Sequence, residues 1–250
     1  MPMGDTLRTA VPKPAQHALL EAYTRVQMVV QRGSGVTCPL CESTFRRFTA
    51  FGDPPRPYAR CPRCRALERH RLAWWFLQGH TDLFDRNLRV LHVAPEPPLT
   101  RCLRTVAGLD YLTADIDPSR ADVQMDIMNI QYPDSFFDVV LCFHVLEHVL
   151  DAGTAMRELH RVLAPTGFAL LDAPTDPERE HTYEDWSITS DEGRRRAFGQ
   201  WDHVRLFGRD YPDLLRSAGF HVEVDPYPPN ENDSKEFGLR EEDHIYYCTK

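Results

Sequence analysis

The sequence predicts an α/β fold in two parts, a doubly wound seven-stranded sheet behind a small metal-bound module. Three observations lead there. From Leu88 onward, short apolar runs alternate with helical stretches, the order that builds a mainly parallel sheet covered on both faces. Ahead of that region stand two Cys-Pro-x-Cys pairs, Cys38-Pro39-Leu40-Cys41 and Cys61-Pro62-Arg63-Cys64, with nineteen residues between them. Charge divides at the same place. Residues 32–89 hold eleven Lys/Arg against five Asp/Glu, a net +6, whereas residues 90–250 hold fifteen against thirty, a net −15.

Taken in order, residues 1–14 carry three prolines and little apolar pattern, and read as a flexible tail. Over 15–31, Leu19, Leu20, Tyr23, Val26 and Val30 recur at helical spacing, and Gly33-Ser34-Gly35 ends the run. The cysteine module spans about 36–65, and a helix over 66–78 offers Leu67, Trp74, Phe76 and Leu77 for burial. Strands follow at 89–93, 111–114, 123–125 and 138–143, the last almost continuously apolar, as a strand covered on both faces should be. A helix over 152–162 places Ala155, Met156, Leu159 and Val162 on one face. Next come a strand at 168–171, a helix at 210–217 closed by Gly219, and strands at 220–224 and 245–248. The polar, Pro-rich stretch 226–243 reads as a long loop. The expected domains are a tail and helix over 1–35, a ribbon with its connecting helix over 36–87, and the sheet domain over 88–250.

Two Cys-x-x-Cys pairs at this spacing can supply four thiolates to one tetrahedral ion, so Cys38, Cys41, Cys61 and Cys64 are expected to bind zinc as a ribbon. A closed four-sulfur shell leaves no place for water, which makes that zinc structural. The remaining Cys102, Cys142 and Cys248 are an odd set of thiols, and with the zinc site they fit a reducing cytoplasm. No apolar run reaches the ~18 residues a membrane span needs, and residues 1–10 lack a signal-peptide core. The basic module either meets an anionic partner such as RNA or docks on its own acidic neighbour. Its arginines are scattered, without interleaved aromatics and lysines, which favours the second.

The run Asp138-Val139-Val140-Leu141-Cys142-Phe143-His144-Val145-Leu146-Glu147-His148-Val149, followed by Ala155-Met156-Arg157-Glu158-Leu159-His160-Arg161-Val162-Leu163-Ala164-Pro165-Thr166-Gly167, resembles the strand-4 to strand-5 segment of class I S-adenosylmethionine-dependent methyltransferases of the type 11-like group. The resemblance covers about 88–250. The cysteine pairs with Ala66-Leu67-Glu68-Arg69-His70-Arg71-Leu72 resemble a bacterial subgroup bearing an N-terminal zinc ribbon. The resemblance implies a Rossmann-like sheet with S-adenosylmethionine at the carboxyl ends of its strands. It implies Asp115 for the ribose hydroxyls, with Ile116 beside it and Asp117 as a near alternative, and Asp126 with Ile127 for the adenine. Phe143, His144 and Val145 would wall the sulfonium. The turn after the first strand, His92-Val93-Ala94-Pro95-Glu96, departs from the family pattern: it has no glycine, prolines stiffen it, and His92 holds the usual acidic position. Glu96 is expected to meet the cofactor's ammonium group instead.

His144-Val145-Leu146-Glu147-His148 also spells H-x-x-E-H, an inverted zinc-peptidase pattern. That reading needs a long helix and a third ligand downstream. Here the pattern follows a strand directly, where the methyltransferases carry Leu-Glu-His. The insertion at about 174–208 lies where such enzymes place substrate lids, and it offers Tyr183, Trp186 and Trp201 to a substrate. In it, His203 is the expected general base and Arg205 the anchor for an anionic acceptor. His148 either faces substrate or starts a helix. The expected activity is methyl transfer to oxygen or nitrogen of a small molecule. The alternatives are RNA methylation, S-adenosylmethionine as substrate for elimination or cyclisation, and a scaffold without catalysis.

Overall fold

A computed structural model of the chain describes residues 13–52, 54–225 and 229–250. The tail expected over 1–14 lies outside these, but for Lys13 and Pro14, which open the first helix. The chain divides into two compact units: one runs to Trp75 and takes back Pro229–Asp243, and the other holds Phe76–Pro228 and His244–Lys250.

The first unit begins with helix α1 (Lys13–Val30). Two antiparallel hairpins follow, β1 (Arg32–Cys38) with β2 (Ser43–Phe45) and β3 (Thr49–Phe51) with β4 (Arg56–Arg60). Helix α2 (Glu68–His80) starts here and crosses the division between the units. The sequence-based boundary at 87/88 therefore moves back into this helix.

The stretch 226–243, read as a loop, is corrected by the structure. Its residues from Pro229 on belong to the first unit and carry α7 (Glu231–Phe237). Asn230 caps that helix by accepting from Asp233 N, and Gly238 closes it in the left-handed conformation. The segment escaped notice because α7 buries none of its own side chains, so no apolar stripe marks it. What holds it is Arg71, wholly buried and donating to the carbonyls of Phe237 (2.7 Å) and Gly238 (2.8 Å) as well as Ala59 and Ala66. Its guanidinium lies 4.0 Å from the centre of the Phe48 ring. Trp75 Nε1 adds a bond to Asp233 (3.0 Å). A Cβ on Gly238 would stand 2.9 Å from the Phe48 ring, so that close approach needs glycine.

The second unit is built on one seven-stranded sheet. Its strands are β5 (Leu88–Val93), β6 (Leu109–Asp115), β7 (Val123–Gln124), β8 (Phe137–Phe143), β9 (Leu163–Asp172), β12 (His221–Val224) and β13 (Tyr246–Thr249), in the order β12-β13-β9-β8-β5-β6-β7. The pairs from β7 to β9 are parallel; β13 runs antiparallel to both of its neighbours. Between strands lie α3 (Pro97–Leu103), α4 (Ala152–Val162) and α6 (Tyr211–Ser217). The insertion folds into α5 (Asp191–Phe198) and the strand pair β10 (Tyr183–Glu184) with β11 (Arg205–Leu206).

Asp151 caps α4 through Thr154 N, and Ala152, Ala155, Met156, Leu159 and Val162 bury one face of it, the stripe read from the sequence. Strand β9 begins directly after α4 and is longer than expected, because Pro165-Thr166-Gly167 continues the strand instead of turning. There a Cβ on Gly167 would meet Asp138 O at 2.4 Å.

Replacing Arg71 by Ala leaves four carbonyls without their shared donor. The expected cost is on the order of 3–5 kcal/mol, borne by the first unit. Hydrogen exchange should show 229–243 losing protection in Arg71→Ala while the β5–β9 strands keep theirs. Equal protection of 229–243 in both proteins would remove Arg71 as the clasp.

Candidate active site and cysteine cluster

The four cysteines of the paired motif come together. Cys38 and Cys64 Sγ are 3.4 Å apart, Cys41 and Cys61 Sγ 3.7 Å, and all four lie within 4.8 Å of one another. Tetrahedral sulfur ligands at ~2.3 Å from an ion have edges of about 3.8 Å, so the donor set fits a zinc-sized ion. Both turns are alike: Glu42 and Arg65, each following the second cysteine of its pair, have φ of 55° and 69°. Their N–H groups reach back to Cys38 O and Cys61 O. No disulfide joins any of the seven cysteines.

In the second unit, β6 and β7 end beside an open groove of about 590 Å³, lined by Ile116, Gln124, Met125, Asp126, Asn129 and Tyr132 among others. Ile116 is 67% exposed, an apolar side chain held in solvent at a strand end opposite a carboxylate. That pairing suits a flat ring bearing an amine. Asp115, at the end of β6, is buried; its Oδ1 accepts from Asp117 N (2.9 Å), and Arg120 Nε stands 3.6 Å from Oδ2. Asp126 Oδ1 accepts from Met128 N. Ile127 is corrected: it packs in the core and does not line the groove, a place taken by Met125 and Tyr132.

The turn after β5 is built without glycine. Ala94 itself takes the left-handed conformation, with φ of 46°, a position glycine usually fills. Pro95 follows, Glu96 is the N-cap of α3 without capping it, and Pro97 and Pro98 withhold two N–H groups from that helix end. Val93 is buried in the strand. His92 is corrected as a cofactor contact: it is buried, shares a 2.7 Å hydrogen bond with Tyr111 Oη, and meets Phe143 edge to face. Burial pushes the Tyr111 hydroxyl up to about 12, which keeps it protonated.

At the end of β8 the chain turns sharply through His144, whose φ is 54°, and the next residues form a tight cluster. His144 bridges two carboxylates, Nδ1 to Glu147 at 3.4 Å and Nε2 to Asp172 at 3.4 Å. Val145 lies half-buried in this turn. Glu147 is 1% exposed. His148 Nε2 stands 3.9 Å and His203 Nε2 4.0 Å from Glu147 Oε1, and the two imidazole rings meet edge to face at 4.8 Å. Val204 N donates to Glu147 O, tying the insertion to the turn. Burial holds the His203 imidazole below its usual range, so it stays neutral.

Arg205 is corrected as an acceptor anchor. Its side chain is 1% exposed, and its guanidinium donates to the carbonyls of Leu146, Val149 and Leu150 and to Glu184. It fixes the turn that carries Glu147 and His148 and presents nothing outward. Tyr183 packs between Phe198 and Arg179, whereas Trp186 and Trp201 stand exposed on the insertion, outside the groove beside β6 and β7. The sequence reading missed Glu147, Asp172 and Asp202 as members of the cluster. The H-x-x-E-H spacing was the signal for Glu147, and it was set aside with the peptidase reading.

Residues 81–171 match the family model described as a methyltransferase domain. A probable S-adenosylmethionine-dependent methyltransferase of Mycolicibacterium smegmatis is 32% identical over 48% of this chain and 45% of its own length. A malonyl-acyl-carrier protein O-methyltransferase of Halorhodospira halophila is 33% identical over 43% of this chain and 33% of its own. The chain thus spans less than half the length of these relatives. Among solved structures, an S-adenosylmethionine-dependent methyltransferase from Mesorhizobium loti superposes with a TM-score of 0.50 at 17% identity, covering 71% of this chain and 97% of the other. The cyclase SpnF superposes with the same score at 15% identity, over 71% of this chain and 79% of its own. These two likenesses bear on the fold alone. The family match runs from just after α2 to the end of β9, across the strand ends that carry the groove and the imidazole cluster.

Proposed function

We propose that the protein is an S-adenosylmethionine-dependent methyltransferase that methylates oxygen or nitrogen of a small-molecule acceptor, with a structural zinc in its first unit. The groove carries this reading: an exposed Ile116 opposite Asp126, at the strand ends of a chain segment that matches the methyltransferase domain. Asp115 would accept from the ribose, and Ile116 with Asp126 would hold the adenine. Bound there, the cofactor supplies an activated methyl group. The chain's own part is to align an acceptor with it, shut out water and receive the acceptor's proton. We assign the proton to the imidazole cluster at the end of β8, where His148 is a third exposed and His203 stands behind it. RNA is the second acceptor class, on the basic balance of residues 32–89. Several of those arginines are engaged within the first unit: Arg56 on Glu68, Arg63 on Ser43, Arg60 over Phe51 and Arg71 on its carbonyls. The absence of disulfides suits a cytoplasmic setting. Among the described residues no helix is long and apolar enough to cross a membrane.

Calorimetry should show S-adenosylmethionine binding, and Asp115→Ala should weaken it about tenfold to a hundredfold by removing charge-assisted bonds to two hydroxyls. A screen of small acids, amines and phenols beside RNA then identifies the acceptor. A wild-type protein that binds no S-adenosylmethionine would leave the scaffold reading.

For the turn after β5, Glu96→Gln should weaken S-adenosylmethionine yet hardly change 5′-methylthioadenosine, which lacks the ammonium group. Equal losses for both ligands would end that assignment.

Elemental analysis should return zinc held by the four cysteines. Cys61→Ser should lose one equivalent and unfold the first unit locally, while the melting transition of the seven-stranded sheet persists. Fully reduced wild-type protein without zinc would refute the metal.

A further inference from the structure

The cluster at the end of β8 holds more than proton transfer requires. Glu147 is a buried carboxylate, and neither of its oxygens accepts a hydrogen bond. An ionised carboxylate in that condition is strongly disfavoured unless a cation or proton meets it. His144 Nδ1 stands 3.4 Å from it without forming a hydrogen bond, and the two further imidazoles aimed at it, His148 and His203, do not supply one. His148 Nδ1 bonds to Asp202 O (3.2 Å), and His203 Nδ1 bonds to Phe198 O (3.1 Å). A carbonyl oxygen only accepts, so in each ring Nδ1 carries the hydrogen, and Nε2 of the neutral ring holds a lone pair. Two nitrogen lone pairs and a carboxylate oxygen thus converge, all within 4.8 Å of one another. Left alone they repel.

We infer that Glu147, His148 and His203 form a binding site for one divalent transition-metal ion, separate from the four-cysteine cluster. Two imidazole nitrogens and one carboxylate suit Zn²⁺, Mn²⁺, Fe²⁺ or Co²⁺. Both histidines already have the outer partner that metal-bound imidazoles use, a backbone carbonyl on Nδ1 that fixes the tautomer and the ring. Ligands ~2.1 Å from a tetrahedral ion lie about 3.4 Å apart. The Nε2–Oε1 separations of 3.9 and 4.0 Å would close by roughly half an ångström each, a side-chain adjustment. The elements that carry the ligands are rigid: Arg205 locks the turn bearing Glu147 and His148, and Val204 N binds Glu147 O next to His203. His144 links Glu147 to Asp172 as an outer contact. The H-x-x-E-H spacing therefore serves a metal, with its second histidine and its glutamate as ligands and the third ligand drawn from the insertion.

Three protein ligands leave positions open, as in catalytic rather than structural sites. Those positions suit an oxygen donor of the acceptor, a hydroxyl that an ion makes more acidic; with both Nε2 lone pairs on the ion, the ion would take over from the imidazoles the task of easing that proton's loss to water. This last point rests on the methyltransferase reading. The metal site does not.

Full-length protein is titrated with Mn²⁺, followed by the electron paramagnetic resonance of the free ion. Mn²⁺ favours oxygen and nitrogen ligands over a thiolate cluster, so it reports the second site. One saturable equivalent is expected in wild type and in Cys61→Ser. Glu147→Gln and His203→Ala should each weaken it at least tenfold while the zinc of the cysteine cluster stays. His148→Ala, at a partly exposed position, provides a variant that keeps the fold, which circular dichroism and thermal melting check. Elemental analysis after zinc loading should give two equivalents in wild type and one in His148→Ala. A single zinc in wild type with no saturable Mn²⁺ overturns the proposal, as does Mn²⁺ affinity unchanged in all three variants. Metal binding without methyl transfer to any acceptor leaves the site standing and defeats the functional reading; S-adenosylmethionine binding without a second metal does the reverse.

Discussion

The guanidinium of Arg205 holds in place the turn of the second unit that carries the imidazole cluster. The chain leaves β8 at His144, and the turn that follows presents the carbonyls of Leu146, Val149 and Leu150 with no strand or helix to satisfy them. Arg205, itself 1% exposed, collects all three, and Glu184 balances its charge. A water could not do this, because three carbonyls must be fixed at once and the charge strengthens each bond. Remove the arginine and the turn has several good conformations. The positions of Glu147 and His148 would then be lost.

The first unit solves a similar problem with the same residue type. Arg71 gathers carbonyls from β4, from the approach to α2 and from the end of α7, segments that share no ladder. In both units a buried arginine organises irregular backbone beside a cluster of metal-type ligands. Burial lowers the tendency of Arg71 to hold its proton, and the neighbouring thiolates and Glu68 oppose that. A unit this small buries little apolar surface, so fixed polar contacts carry more of its stability than they would in a large core.

Much of the sheet was legible in the sequence. The stripe Ala155, Met156, Leu159, Val162 located α4, and the unbroken apolar run of 138–143 located β8, because each period reports directly which face is buried. The cysteine spacing located its cluster for the same reason of local geometry. Three things were not legible. Helix α7 lacks an apolar face, so only its caps, Asn230 and Gly238, marked it, and those read equally as turn residues. Arg205 was assigned an outward role on its chemical type and its place in the insertion, and His92 on its place in the resembled pattern; burial, which a single sequence does not display at isolated polar positions, decided otherwise. The joining of Glu147 and His148 to His203 spans more than fifty residues and depends on how the insertion folds back, which no local pattern encodes.

The excursion of the chain between β12 and β13 has a consequence for biosynthesis. The ribosome delivers the cysteine turns ahead of β5, yet Phe237 and Gly238, whose carbonyls Arg71 needs, emerge only after β12. Until then Arg71 is a charge without half of its acceptors. The first unit is therefore completed only after six of the seven strands of the larger sheet have been made, and a nascent chain must keep its thiols from oxidation or mispairing until then. Capture of an ion by the four cysteines during translation would shield them, which would make the yield sensitive to metal supply and elongation speed.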